Sequence, residues 1–93
     1  MITAIVSIDV ASNLIPEAAQ AIADIDGVDI VYSVTGDADL VALVRVQAHD
    51  DLAGVIADRI SKVEGVLDTA TNIAFATYSP RDLEVGFDLG NDG

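Results

Sequence analysis

The first stretch of the chain alternates. Ala4, Val6, Ile8 and Val10 fall on one side of an extended segment, and Thr3, Ile5, Ser7 and Asp9 on the other, the period-two pattern of a strand. From Ser12 the period changes. Ser12 and Asn13 precede Pro16 and Glu17, residues suited to a helix start, and Ala18, Ile22 and Ile25 then share one helical face. Gly27 is placed to end that helix. Val28 to Thr35 reads as a second strand, and the connection Gly36-Asp37-Ala38-Asp39 leads into a third, Leu40 to Val46, which together predict a hairpin. His49, Asp50 and Asp51 supply capping and first-turn charge for a second helix with a stripe of Leu52, Val55, Ile56, Ile60 and Val63. A long fourth strand is expected from Val66 to Tyr78, with Thr69, Thr71, Ile73, Phe75 and Thr77 on one side and Ala70, Ala74 and Ala76 on the other.

An internal repeat ties these elements together. Ile22 to Val28 and Ile60 to Val66 share the pattern Ile-x-x-aliphatic-acid-Gly-Val, with Gly27 and Gly65 lying 38 positions apart. Two copies of a strand-helix-strand unit follow, and with right-handed crossovers the order βαββαβ folds as α+β, ferredoxin-like: a four-stranded antiparallel sheet with two helices on one face. The strands are too apolar on both sides for one sheet face to meet bulk water. A set such as Ile5, Val31, Val41, Leu43, Ile73 and Phe75 is expected on the face away from the helices, and a homodimer in which two sheets meet would cover it. The pattern changes after Ser79-Pro80, which divides the chain into a domain of residues 1–78 and a partly flexible extension of residues 79–93. In the extension, Leu83 and Phe87 stand at helical spacing, as for a short turn docking on a neighbouring subunit.

Composition narrows the chemistry. The 93 residues make one domain with one core, and 52% hydrophobic content argues against disorder. Sixteen acids against four Lys and Arg leave a net charge of −12, which repels a phosphate backbone. Direct nucleic-acid binding by this chain is not expected. The start of the sequence lacks a basic leader and no apolar run is long enough to span a membrane, so a soluble cytoplasmic protein is the expectation. The absence of cysteine excludes disulfides and thiolate metal sites. No cofactor is indicated. Asp37, Asp39, Asp50 and Asp51 could be read as hard-cation ligands, but their spacing matches no calcium loop, and solvated turn acids are the commoner case. His49, at a predicted helix start, reads as a surface or capping residue, and no catalytic set accompanies it.

The turn between the second and third strands carries the most specific chemistry. Gly36 permits positive φ and close approach to its N–H, which suits a carboxylate, while Asp39 suits an ammonium group. Thr69 and Thr71 offer hydroxyls to either. Together these groups match the two charged ends of an α-amino acid. An equally open reading is that Gly36 and Asp39 only shape a hairpin and the threonines only fill a strand.

The order of these features, from "VTGDADLVALVRV" through "ISKVEGV" to "LDTATNIAF", resembles the Lrp/AsnC ligand-binding domain, also called the RAM domain, over nearly residues 1–78. The resemblance implies a non-enzymatic, amino-acid-sensing regulatory domain that pairs through its sheets and assembles into larger rings. In such assemblies the turn and the facing strand help bind the effector where dimers meet. Carried over by motif, Gly36 and Asp39 would contact the effector or maintain the assembly, with Thr69 and Thr71 nearby and Ser33 and Thr35 as further candidates. Family regulators also carry an N-terminal helix-turn-helix, which this sequence does not show. It is similar to the stand-alone members, which would influence transcription indirectly by assembling with full-length Lrp/AsnC regulators. The competing readings are an oligomerisation module without effector binding and a small sheet-dimer enzyme, which would need a closed polar pocket inside the subunit.

Overall fold

A computed structural model describes residues 1–80; the expected helical turn at Leu83 and Phe87 and the expected flexibility of the extension's last residues lie outside this range. The elements are β1 (Ile2–Val10), a 3₁₀ turn (Ser12–Leu14), α1 (Ile15–Ala23), β2 (Val28–Ser33), β3 (Leu40–Val46), α2 (His49–Ala53) and β4 (Val66–Ala74). Between α2 and β4 the helix continues in π form over Gly54–Arg59 and closes in a 3₁₀ turn, Ile60–Lys62. All strand pairs are antiparallel in the order β2-β3-β1-β4, which is the ferredoxin-like sheet expected from the repeat.

The core lies between the sheet and the helices. Ala4, Val6, Ile8 and Val10 of β1 and Leu40, Ala42, Val44 and Val46 of β3 are buried against Ala18 and Ile22 of α1 and Leu52, Val55 and Ile60 of the second helical segment. Along this segment Val55 and Ile60 are buried and Arg59 is exposed. The Ser61 hydroxyl donates to the Ile56 carbonyl at 2.9 Å and satisfies one acceptor of the widened turn.

Three expectations are corrected and one is borne out. The first helix starts at Ile15, with no side-chain cap; Ser12 and Asn13 form the preceding 3₁₀ turn, and Pro16 occupies the first turn of α1. At the second helix the expected capping is found: the Asp51 carboxylate accepts the Ala48 N–H at 3.3 Å, Asp50 and Asp51 lie in the first turn, and His49 is a surface residue. β2 ends at Ser33 and β4 at Ala74 because their partners run out: Ser33 pairs with Leu40, the first residue of β3, and Ala74 pairs with Thr3 near the start of β1. Finally, Val31 and Ile73 belong to the helix side of the sheet, since they pair with the core residues Ala42 and Ala4. A register shift between Val28 and Ile30 moves Val31 across the sheet and puts Ile30 and Tyr32 on the far face instead. Phe75 lies beyond β4 and is 98% exposed.

The repeated glycines have one geometry. Gly27 and Gly65 adopt φ of 100° and 97°, and each follows a helix and precedes a strand. A Cβ on Gly27 would stand 2.9 Å from Val55 Cγ2, whereas one on Gly36, at nearly the same φ of 104°, would meet nothing within 4 Å. The conformational cost of alanine is therefore shared, and the difference between the two sites isolates the contact with Val55. We expect Gly36→Ala to cost about 1 kcal/mol and Gly27→Ala about 1 to 2 kcal/mol more, measured by urea unfolding.

Candidate functional site

Asp39 is the best-tied residue of the turn. Its N–H donates to the Ile8 carbonyl at 3.1 Å, and its carbonyl accepts the Val34 N–H at 3.1 Å. Its carboxylate oxygen Oδ2 accepts the Val10 N–H at 2.8 Å. The carboxylate thus continues the β1–β3 pairing beyond Leu40, at the point where β1 also shifts register against β4 between Asp9 and Val10. Oδ1 remains available to a further donor.

The other candidates sit around this tie at different distances. Gly36, Thr35 and Asp37 are exposed in the turn, and Ser33, the last residue of β2, pairs with Leu40. Thr69 pairs with Ile8 and is half-buried; Thr71 pairs with Val6, farther from the turn along β4, and is exposed. An open cleft of about 310 Å³ lies between the turn and β4, lined by Ser7, Asp9, Asp37, Ala38, Asp68, Thr69 and Ala70. The structure brings Thr69 and the turn together there. The turn residues that reach this cleft are Asp37 and Ala38, while Gly36, Asp39, Thr71, Ser33 and Thr35 are not among its lining residues. Asp9 and Asp68 were missed by sequence reasoning. They became visible only through the register that pairs them directly.

At the opposite end of the sheet a second open cleft of about 340 Å³ is bordered by Asp26, Gly27, Gln47, Asp50, Asp51 and Arg59, among others. Among the described residues no polar or charged side chain is buried, and no group of three His, Cys, Asp or Glu is arranged to hold a metal ion. Nor is any helix long and apolar enough to cross a membrane. Among the described residues the core between sheet and helices is apolar.

The described residues form a ferredoxin-like sheet whose Gly-x-x-Asp turn is tied to β1 through Asp39. The model of the Lrp/AsnC ligand-binding domain matches residues 3–83, and the chain belongs to that family. It is 40% identical over 72 residues to the HTH-type transcriptional regulator LrpA1 of Halobacterium salinarum, an alignment covering 77% of this chain and 49% of the relative. It is 32% identical over 72 residues to an uncharacterized HTH-type regulator of Pyrococcus furiosus, with the same coverage. The chain spans about half the length of the curated relatives it matches. Among solved structures it is similar to TTHA0845 of Thermus thermophilus, at 44% identity and a TM-score of 0.81, covering 85% of this chain and 99% of that one. It is also similar to a feast or famine regulatory protein of M. tuberculosis complexed with L-methionine, at 31% identity and a TM-score of 0.71, covering 87% of this chain and 55% of that one.

Removing the Asp39 carboxylate leaves the Val10 N–H without its acceptor. We expect Asp39→Ala to cost about 2 kcal/mol, and Asp39→Asn, whose amide oxygen still accepts, less than half of that, compared by urea midpoint.

Proposed function

We propose that residues 1–78 form an amino-acid-sensing domain that acts on transcription indirectly, by binding an effector and assembling with further copies and with full-length Lrp/AsnC regulators. The observation that carries this reading is the turn. Asp39 fixes it to β1 through two hydrogen bonds, to Ile8 and Val10, and to Val34 across the hairpin through a third, while Gly36, at positive φ with open space around it, leaves its backbone accessible to a ligand carboxylate. Asp39 Oδ1 and the Thr69 hydroxyl are the polar partners for the ammonium end, with Gly36, Thr71, Ser33 and Thr35 completing the candidate set. The complex of the M. tuberculosis relative with L-methionine supports an α-amino acid as the ligand class.

The cleft is open and shallow in one chain, so a neighbouring subunit is needed to enclose a ligand. The far face of the sheet supports such assembly. Ile5, Ile30 and Tyr32 are 39%, 40% and 50% exposed, with Val41 and Leu43 between them, and a second sheet would cover this surface. A second reading is favoured by Asp39 itself. With Oδ2 already taken by Val10, the turn serves the hairpin whether or not a ligand arrives, as in an oligomerisation module without an effector.

Titration calorimetry with a panel of amino acids separates the two. Sensing predicts at least one saturable heat, weakened about tenfold or more by Asp39→Asn in protein that sediments as the wild type does. A flat response across the panel, together with co-purification of a full-length regulator, would favour the module. The wild-type chain is expected to sediment as a dimer or larger at micromolar concentration.

A further inference from the structure

The cleft at the end of the sheet opposite Asp39 holds charges of both signs that do not meet. Three segments converge on it: Asp26 from the connection after α1, Asp50 and Asp51 from the first turn of α2, and Arg59 from the end of the π segment. Its apolar lining is Val46 and Val55, both buried. Gly27 holds the Asp26 wall in place. Its carbonyl accepts the Arg45 N–H at 2.8 Å, and it packs so near the second helical segment that a Cβ would stand 2.9 Å from Val55 Cγ2. Among the described residues the side chains of Asp26, Asp50 and Arg59 make no hydrogen bond or ion pair. Asp51 differs, because its carboxylate is engaged with the Ala48 N–H. A guanidinium that shares a cleft with carboxylates and pairs with none of them leaves room between the opposite charges for a ligand that carries both.

We propose that this cleft binds a cationic amino acid, a small molecule with one carboxylate and two ammonium groups such as lysine. Arg59 takes the carboxylate, to which its planar fork can donate two parallel N–H bonds. Asp26 and Asp50 take the two ammonium groups, and Val46 and Val55 meet the methylene chain between them. The count of free charges decides the class. One guanidinium and two unengaged carboxylates match lysine, whereas a neutral side chain leaves one carboxylate without a partner and a diamine sets a like charge against Arg59. At about 340 Å³ the cleft stands at the small end of the range for ligand sites, about 300 to 1,000 Å³. It is open and its charged side chains are exposed, so charge rather than enclosure carries the binding. Affinity is therefore expected in the millimolar range, falling as salt screens the charges. The site lies away from Gly36 and Asp39 and does not rest on the sensing proposed for the turn.

An amide chemical-shift titration of the full chain tests it with three probes: L-lysine, norleucine, which lacks the side-chain cation, and cadaverine, which lacks the carboxylate. Lysine is expected to saturate, with its largest shifts at Gly27, Gln47 and Gly54, and to bind about tenfold or more tightly than either of the others. Arg59→Gln is expected to remove the preference for lysine over cadaverine, and Asp50→Asn the preference for lysine over norleucine. Both variants are compared in protein whose urea midpoint matches the wild type. Equal affinity for the three probes, or lysine binding indifferent to Arg59→Gln, overturns the proposal. Shifts confined to Gly36 and its neighbours assign lysine to the turn, which overturns the cleft and leaves the proposed sensing in place. The absence of any saturable shift with lysine at tens of millimolar overturns the cleft as well.

Discussion

The tie between Asp39 and the end of β1 is the constraint on which the remaining architecture depends. β1 is an inner strand, paired on one side with β3 and on the other with β4, so its register fixes both neighbours. A slip by one residue would turn Ala4, Val6, Ile8 and Val10 away from the helices and bring Thr3, Ser7 and Asp9 into the core. Asp39 opposes that slip with a donor and an acceptor placed two residues apart on β1, at Ile8 and Val10, while its carbonyl holds Val34 across the hairpin. One residue therefore couples β1, β2 and β3 at the point where the ladder would otherwise end. A carboxylate is well suited to this, because it reaches past the last ladder pair and accepts an N–H more strongly than a neutral group does.

That constraint also explains why the sheet has two unlike faces. The helix side is filled by small and branched apolar side chains, and Arg59 of the π segment is exposed. The far side keeps an apolar band but ends in charge, acidic beside the turn and basic at Arg45.

The repeat, the hairpin and the helical stripe were legible because each rests on local sequence chemistry: a glycine at positive φ, a short polar connection, an amphipathic period. Sidedness was not. Alternation groups Thr69, Thr71 and Ile73 on one side of β4, as observed, but it cannot say which side until β1 supplies the partners Ile8, Val6 and Ala4. Val31 was misplaced because the register shift at Val28 and Ile30 breaks the period of two within a strand of six residues. Strand ends failed for a related reason. Ala76 and Thr77 carry strand-like residues to a place where β1 has nothing left to pair with them. At the site, sequence reasoning singled out Asp39 over Asp37, and the fold added what Asp39 holds, the Val10 N–H, while Asp37 opens to the cleft.

This distinction bears on how sensing and assembly would be linked. A ligand that meets the turn where subunits join binds the assembled state alone, so its binding free energy adds to that of assembly, and each promotes the other by the same factor. The turn does not have to move for this to operate. Held at three backbone points, the turn would serve the proposed sensing as a rigid half-site, completed by a second copy. Rigidity lowers the ordering cost of binding and places the specificity in the partner surface rather than in the hairpin. On the proposed reading, variants that loosen the turn would lose affinity through lost preorganisation, whereas variants of the far face would lose it through lost assembly.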